Sequence, residues 1–151
     1  MGQVYAVSER VLDASPEQVF EALADYEKTR PGLLPAQYSE YQVRAGGRGA
    51  GTVVHWKLQA TEKRVRDCLF TVTEPSPGRL VETDANSSMV ITWTVTPAGE
   101  GRAKAVVETT WDGAGGIGGF FERTFAPKGL KRINDEVLER LAAAVAGNSA
   151  G

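Results

Sequence analysis

The stretch IGGFFERTFAPKGLKRINDEVLERLAAAVA, Ile117 to Ala146, decides how the rest of the chain is read. In its second half Leu130, Ile133, Val137, Leu138, Leu141 and Val145 recur at intervals of three and four. That spacing draws one apolar stripe along a helix, and the stripe must be buried. Lys131, Arg132, Asp135, Glu136, Glu139 and Arg140 fall on the opposite face. Among them Lys131 with Asp135, Arg132 with Glu136 and Glu136 with Arg140 stand at the spacing of helical ion pairs, so this face belongs in water. The first half carries Ile117, Phe120, Phe121 and Phe125, three of the five phenylalanines in the chain. Pro127 would clash with the carbonyl of Arg123 and removes a backbone donor, so the helix is expected to bend or restart there, with Gly113 to Gly129 as a mobile gate.

Nearly everything before this helix reads as strand. Val4 to Leu12 is the first. Helix punctuation follows: Ser15 as cap, Pro16 as first residue and Gln18 completing a capping box, with Val19, Phe20 and Leu23 as the apolar face. Asp25 to Arg30 suits a second short helix that Pro31-Gly32 and Pro35 would stop. Strands are then expected over Tyr38 to Ala45, Thr52 to Ala60, Lys63 to Thr73, Arg79 to Thr83, Met89 to Thr96 and Ala103 to Trp111. The six-residue run Gly46 to Gly51, rich in glycine, reads as a hairpin loop, and the gap at Thr61-Glu62 as a tight hairpin. Met89, Ile91, Trp93 and Val95 share one face of the sixth strand; Ala105, Val107, Thr109 and Trp111 share one face of the seventh. The simplest architecture is α+β: a helix-grip fold in which a seven-stranded, curved antiparallel sheet closes around the long carboxy-terminal helix, with two short helices after the first strand.

At 151 residues the chain suits one domain, taken as residues 1–147 with 148–151 as a disordered tail. Seventeen basic against nineteen acidic residues, without a run of like charge, give no electrostatic footprint for nucleic acid or an anionic membrane. No apolar run is long enough to insert into a bilayer. The single cysteine, Cys68, excludes an internal disulfide. Together with an amino terminus that shows neither a secretory nor a myristoylation signal, this leads to an expectation of a cytoplasmic protein. Asn86-Ser87-Ser88 matches a glycosylation acceptor but reads more simply as a turn.

The order of elements, with Ala14-Ser15-Pro16-Glu17-Gln18-Val19-Phe20, Asp25-Tyr26, Gly51-Thr52-Val53, Thr73-Glu74-Pro75, Gly78-Arg79-Leu80 and the glycine-rich approach to the last helix, resembles the START/Bet v 1-like (SRPBCC) superfamily. Within it the chain looks most like the bacterial polyketide cyclase/dehydrase and lipid transport branch. The resemblance covers almost the whole chain, and its motifs are structural punctuation. It implies an apolar cavity between sheet and helix that holds a lipid, polyketide or similar hydrophobic molecule, with catalysis in only some members.

Candidate chemistry is sparse. Gly113-Ala114-Gly115-Gly116-Ile117-Gly118 matches a dinucleotide-binding fingerprint between a strand and a helix. A nucleotide fold needs a further parallel strand after that helix, and here the helix closes the chain. A hinge is the simpler reading. His55 is the only histidine, which removes His-based metal clusters, and no metal or cofactor is expected. A hairpin at Thr61-Glu62 would put His55 opposite Cys68 on a polar face with Lys57, Gln59, Arg64 and Arg66. Val54, Trp56, Leu58, Val65 and Leu69 would then share the other face. Phe70 and Val72 conflict with this parity unless strand four bulges. Glu74, Glu82, Asp84 and Glu108 are expected to face solvent. The expected ligand cavity is walled by Trp56, Phe70, Met89, Ile91, Trp93, Val107, Trp111, Phe120, Phe121 and Phe125. Two functions fit: a binder or transporter of a hydrophobic small molecule, or a cyclase, aromatase or dehydratase acting in the same cavity. A titratable group inside the cavity would separate them, with Tyr38, Tyr41, Arg66 and His55 as candidates.

Overall fold

The computed structural model describes residues 3–61, 64–112 and 127–150. In chain order it holds β1 (Gln3–Leu12), α1 (Pro16–Ala24), α2 (Thr29–Leu33), β2 (Tyr38–Ala45), β3 (Val53–Thr61), β4 (Arg64–Ser76), β5 (Arg79–Asp84), β6 (Val90–Pro97), β7 (Ala103–Asp112) and α3 (Pro127–Ala150). All strand pairings are antiparallel, in the order β1-β7-β6-β5-β4-β3-β2. The seven strands curve into one sheet that grips α3, a helix-grip α+β fold. Among the described residues no helix is long and apolar enough to cross a membrane.

The expected stripe of α3 is buried throughout: Leu130, Ile133, Val137, Leu138, Leu141 and Val145 all lie in the core. On the opposite face Lys131 pairs with Asp135 and Arg140 with Glu136. The helix extends to Ala150, into residues 148–151 that were read as a tail. Residues 117–126, over which the helix was also expected to run, lie outside the described residues, as does most of the expected gate. Proline is tolerated at the start of α3 because a first-turn N–H has no intrahelical acceptor.

At the head of α1, Ser15 Oγ accepts from Gln18 N at 3.1 Å and Gln18 Oε1 accepts from Ser15 N at 3.0 Å, the capping box the sequence implies. The short α2 differs from expectation, since it includes Pro31 and Gly32 instead of ending before them. Pro31 occupies the first turn, where its missing N–H costs no helical hydrogen bond. β4 also runs through Pro75 to Ser76, so the turn into β5 falls at Pro77-Gly78.

The hairpin between β3 and β4 is where the register departs from the sequence reading. Trp56 stands opposite Cys68 and His55 opposite Leu69, with an irregularity between Gln59 and Thr61. A one-residue slip moves every side chain of a strand to its other face. Cys68, Phe70 and Val72 therefore point into the core, while Val65 is exposed and Leu69 only half-buried. The conflict over Phe70 and Val72 is resolved by the hairpin register.

The helix meets the sheet chiefly at β1, and α1 and α2 also pack against it. Ser8 Oγ donates to Lys131 O at 3.3 Å and Asn134 Nδ2 to Thr109 Oγ1 at 3.4 Å, tying α3 to β1 and β7. The buried side chains of β1 and β7 include the small residues Ala6, Ser8, Ala103, Ala105 and Thr109 besides Leu12, Val107 and Trp111.

Candidate functional site

The segment joining α1 to α2 sends an arginine into the core. Asp25 Oδ1 accepts from the amides of Glu27 and Lys28 at 3.2 and 3.1 Å, and Oδ2 from Thr29 Oγ1 at 3.2 Å. This side-chain turn opens α2 and fixes its direction. Burial works against the Asp25 charge, yet these hydrogen bonds and Arg48 hold the carboxyl below its ordinary range. The glycine-rich loop between β2 and β3 braces the same segment from outside: Tyr26 N donates to Gly47 O at 3.0 Å and Gly49 N to Ala24 O at 2.9 Å. Gly46, at φ 67°, cannot be replaced cheaply, because a Cβ there would lie 2.9 Å from Gly51 O and from Thr52 Cα.

So held, Arg30 is 2% exposed and Tyr26 fully buried. Arg30 Nε donates to Leu23 O at 2.8 Å, and Nη2 donates to Glu82 Oε2 at 2.5 Å and to Tyr26 Oη at 3.3 Å. Tyr26 also donates to Glu82 Oε2, and Trp93 Nε1 to Glu82 Oε1 at 3.4 Å. The guanidinium lies 4.6 Å from the centre of the Tyr26 ring and 5.0 Å from that of Trp93, where ring faces attract a cation. Burial opposes the charge on Arg30, but the Glu82 carboxylate together with Tyr26 and Tyr41 more than offsets it, so the guanidinium is held above its ordinary value. Burial drives the Tyr26 phenol far above its usual range, with Arg30 opposing and Glu82 adding, and the group remains a donor. This buried ion pair survives desolvation because both carboxylate oxygens and two guanidinium nitrogens are hydrogen-bonded.

Around the pair lies an aromatic layer. Tyr41 stacks on Trp56 at 6.1 Å, Tyr38 meets the same indole edge-on at 5.8 Å, and Trp56 touches Phe70 at 4.8 Å between ring centres. Tyr41 Oη donates to Tyr26 O at 2.6 Å. Burial pushes the phenols of both Tyr38 and Tyr41 above their ordinary values, so neither serves as a base near neutral pH.

Of the ten expected wall residues, Trp56, Phe70, Met89, Trp93, Val107 and Trp111 are buried in one core and Ile91 packs against it half-buried. Phe120, Phe121 and Phe125 lie outside the described residues, as does the glycine fingerprint beginning at Gly113. The nucleotide reading does not fit the topology, since every strand pairing among the described residues is antiparallel, whereas a nucleotide fold needs parallel strands.

Two expected solvent-facing carboxylates are buried. Glu82 shares the inner face of β5 with Leu80, and Arg30 balances its charge. Asp84, on the same face, accepts from Leu69 N at 2.9 Å, Asn86 N at 3.1 Å and Ser87 Oγ at 2.7 Å, which closes the turn read at Asn86-Ser87-Ser88. Glu74 and Glu108 are exposed as expected. The period-two parity of β5 carried a signal for Glu82, since Leu80 two residues earlier must point inward. Val81 on the other face blurred it.

The register places His55 away from Cys68. Its Nε2 lies 2.6 Å from Asp67 Oδ1 and its Nδ1 3.0 Å from Glu40 O, at an irregularity in β2 where Glu40 adopts φ 52°. The hydrogen bond from His55 holds the Asp67 carboxyl below its ordinary range. Burial pushes the Cys68 thiol up to about 12, so it is no thiolate nucleophile near neutral pH. Arg66 is half-buried, opposite Leu58.

No curated protein sequence matches the chain. Among solved structures, that of KanY protein is 55% identical with a TM-score of 0.87, covering 96% of this chain and 99% of that one. A START superfamily protein from Mycobacterium smegmatis is 16% identical at a TM-score of 0.65, covering 97% of each chain. Zhui aromatase/cyclase from Streptomyces sp. R1128 is 15% identical at a TM-score of 0.63, covering 95% of this chain and 88% of that one. At those identities the last two share the fold alone. The sequence profile described as polyketide cyclase/dehydrase and lipid transport matches residues 3–146, nearly the full chain and every element of the sheet and helix grip. The chain belongs to the polyketide cyclase/dehydrase and lipid transport family.

Proposed function

We propose that the protein binds a hydrophobic small molecule, a lipid, polyketide or similar compound, between the inner face of the sheet and the carboxy-terminal helix. One observation carries this reading. Trp56, Phe70, Met89, Ile91, Trp93, Val107 and Trp111 turn toward one interior, while α3 meets the sheet chiefly at β1. A site lined mainly by carbon with a few placed polar groups suits an apolar ligand, and Arg30, Glu82 and Tyr26 supply polar groups beside Trp93. Phe120, Phe121 and Phe125 belong to the proposed wall by sequence. The test is native mass spectrometry of the purified protein for a co-purified ligand, followed by titration of a lipid and aromatic polyketide panel while tryptophan fluorescence is read. Saturable quenching or shift is expected; no saturable response across the panel overturns the reading.

The same buried ionisable groups favour a second reading, a cyclase, aromatase or dehydratase in the same space. Glu82 already accepts from three donors, which weighs toward a structural carboxylate and toward binding as the first reading. Turnover of a poly-β-keto substrate mimic that is lost on Tyr26→Phe, with folding intact, would favour the enzyme.

A further inference from the structure

A bulge on the edge strand β2 decides which way two tyrosines point. Ser39 pairs with Lys57 and Gln42 with His55, which leaves Glu40 and Tyr41 both opposite Trp56. On a regular strand, side chains three residues apart lie on opposite faces, yet Tyr38 and Tyr41 both meet the Trp56 indole, at 5.8 and 6.1 Å between ring centres. The extra residue of the bulge accounts for this. The strain falls on Glu40, whose φ of 52° lies in the left-handed region that glycine fills easily. Among the described residues it is the only one other than glycine at positive φ.

What holds Glu40 in place lies on the outer face. Its carboxylate pairs with Lys57 Nζ at 3.0 Å, and its carbonyl oxygen lies 3.0 Å from His55 Nδ1. The other ring nitrogen, Nε2, lies 2.6 Å from Asp67 Oδ1. A backbone carbonyl only accepts hydrogen bonds, and so does an ionised carboxylate. Donation from both ring nitrogens at once requires a proton on each, which only the imidazolium form carries. Either neutral tautomer turns a lone pair toward one of the two acceptors, and that contact is lost. The ring is 7% exposed and borders an open cleft of about 330 Å³ shared with Glu40, Tyr41, Gln42 and Arg44, through which solvent protons reach it.

We infer that His55, together with Asp67, is a proton-operated latch on the β2 bulge, closed while both ring nitrogens carry protons and released when one is lost. Its readout on the inner face is the position of Tyr41. Tyr41 Oη donates to Tyr26 O at 2.6 Å, so one side chain connects the latch to the segment that carries the buried Arg30–Glu82 pair. The charged groups facing the ring are Glu40 and Arg44 on β2, Lys57 on β3 and Asp67 on β4. Carboxylates, lysine and arginine ordinarily keep their charge between about pH 5 and 8, whereas imidazole changes there, which makes His55 the operating group. The latch therefore supports the bulge on the acid side of that interval and weakens as pH rises and the ring loses a proton. Its lower limit is protonation of Asp67, whose carboxyl the hydrogen bond from His55 holds below its ordinary range.

The test is an NMR titration of the full chain across the same interval. His55 is the only histidine, so its ring nitrogens are assigned without ambiguity, and their shifts report protonation and tautomer. Ring-proton shifts of Tyr41 report its stacking on Trp56, and amide exchange, corrected for the intrinsic effect of pH, reports the bulge. As the ring loses its proton, the Tyr41 signals should move with the same midpoint. Protection over Tyr38–Val43 should fall about fivefold, the equivalent of one ordinary hydrogen bond. In Asp67→Asn the carboxamide can offer its N–H to a neutral Nε2 or its oxygen to a protonated one. The latch then stays closed in both forms, and the Tyr41 response should vanish while His55 still titrates. Glu40→Gly relieves the left-handed strain, so the bulge should persist and the response should shrink with Asp67 in place. A ring that does not change protonation across the interval overturns the inference, as do Tyr41 signals and protection that stay constant while it does. A full-sized response in either variant overturns it as well. None of these measurements uses a ligand, so the latch stands or falls apart from the binding function.

Discussion

The two halves of the inner sheet surface are built differently. On β1 and β7 the buried side chains include Ala6, Ser8, Ala103, Ala105 and Thr109, small groups of which Ser8 and Thr109 share hydrogen bonds with α3. Across β3, β4 and β6 the same surface presents Trp56, Phe70 and Trp93, flanked by Tyr38 and Tyr41 from β2 and enclosing the Arg30–Glu82 pair. The first half is designed for contact with the chain's own helix. The second combines large apolar area with a buried ion pair.

The strongest test of the second half removes one member of the pair. Arg30→Met strands the Glu82 carboxylate in the core and should cost about 3–5 kcal/mol in urea denaturation, while Arg30→Met/Glu82→Leu should recover most of that loss. If the single variant lost no more than the double, the pair would not be electrostatically coupled.

Leu138→Ala probes the first half. It truncates a 1% exposed residue on the helix stripe and should destabilise by about 2–5 kcal/mol, whereas Glu139→Ala on the wet face should stay within about 0.5 kcal/mol. Similar small losses for both would show that the helix does not pack as described.

Adding bulk sharpens the contrast further. Ala105→Leu, fully buried on β7, should cost about 1–3 kcal/mol by overpacking. A neutral or stabilised variant in thermal unfolding would mean unfilled space on that side as well.

The smallest effect lies on the outer face. Asp67, depressed in the folded state by His55, contributes stability at pH above its unfolded value, and that contribution fades as pH falls through the folded one. Because the Asp67 side chain is 59% exposed, Asp67→Asn should cost under about 1 kcal/mol near neutral pH. The cost should shrink as pH falls below the ordinary carboxylate range. A difference that grew on acidification would reverse the assigned sign.

Much of the fold was legible because it rests on local periodicity. The α3 stripe, the Ser15 capping box and the alternation of β6 and β7 each repeat within a few residues, and all three appear as read. The site was only partly legible. The burial of Trp93, Val107 and Trp111 followed from alternation, while Arg30 sat next to a proline that was read as a helix stop, and Glu82 was one carboxylate among several on strands. Nothing local to either residue names the other, since the pair spans 52 positions of sequence.

By itself, then, the sequence determined which segments are strands and which are helices, and that one long amphipathic helix must be gripped by the sheet, because burial of an apolar stripe is a local demand written at fixed intervals. Only the tertiary structure decided which face of β4 turns inward and where the buried charge lies. The register depends on a single irregularity at Gln59–Thr61, and one residue of slip exchanges core for solvent along the whole strand. An ion pair in the core forms only once α2 and β5 have been brought together by the packing of everything else.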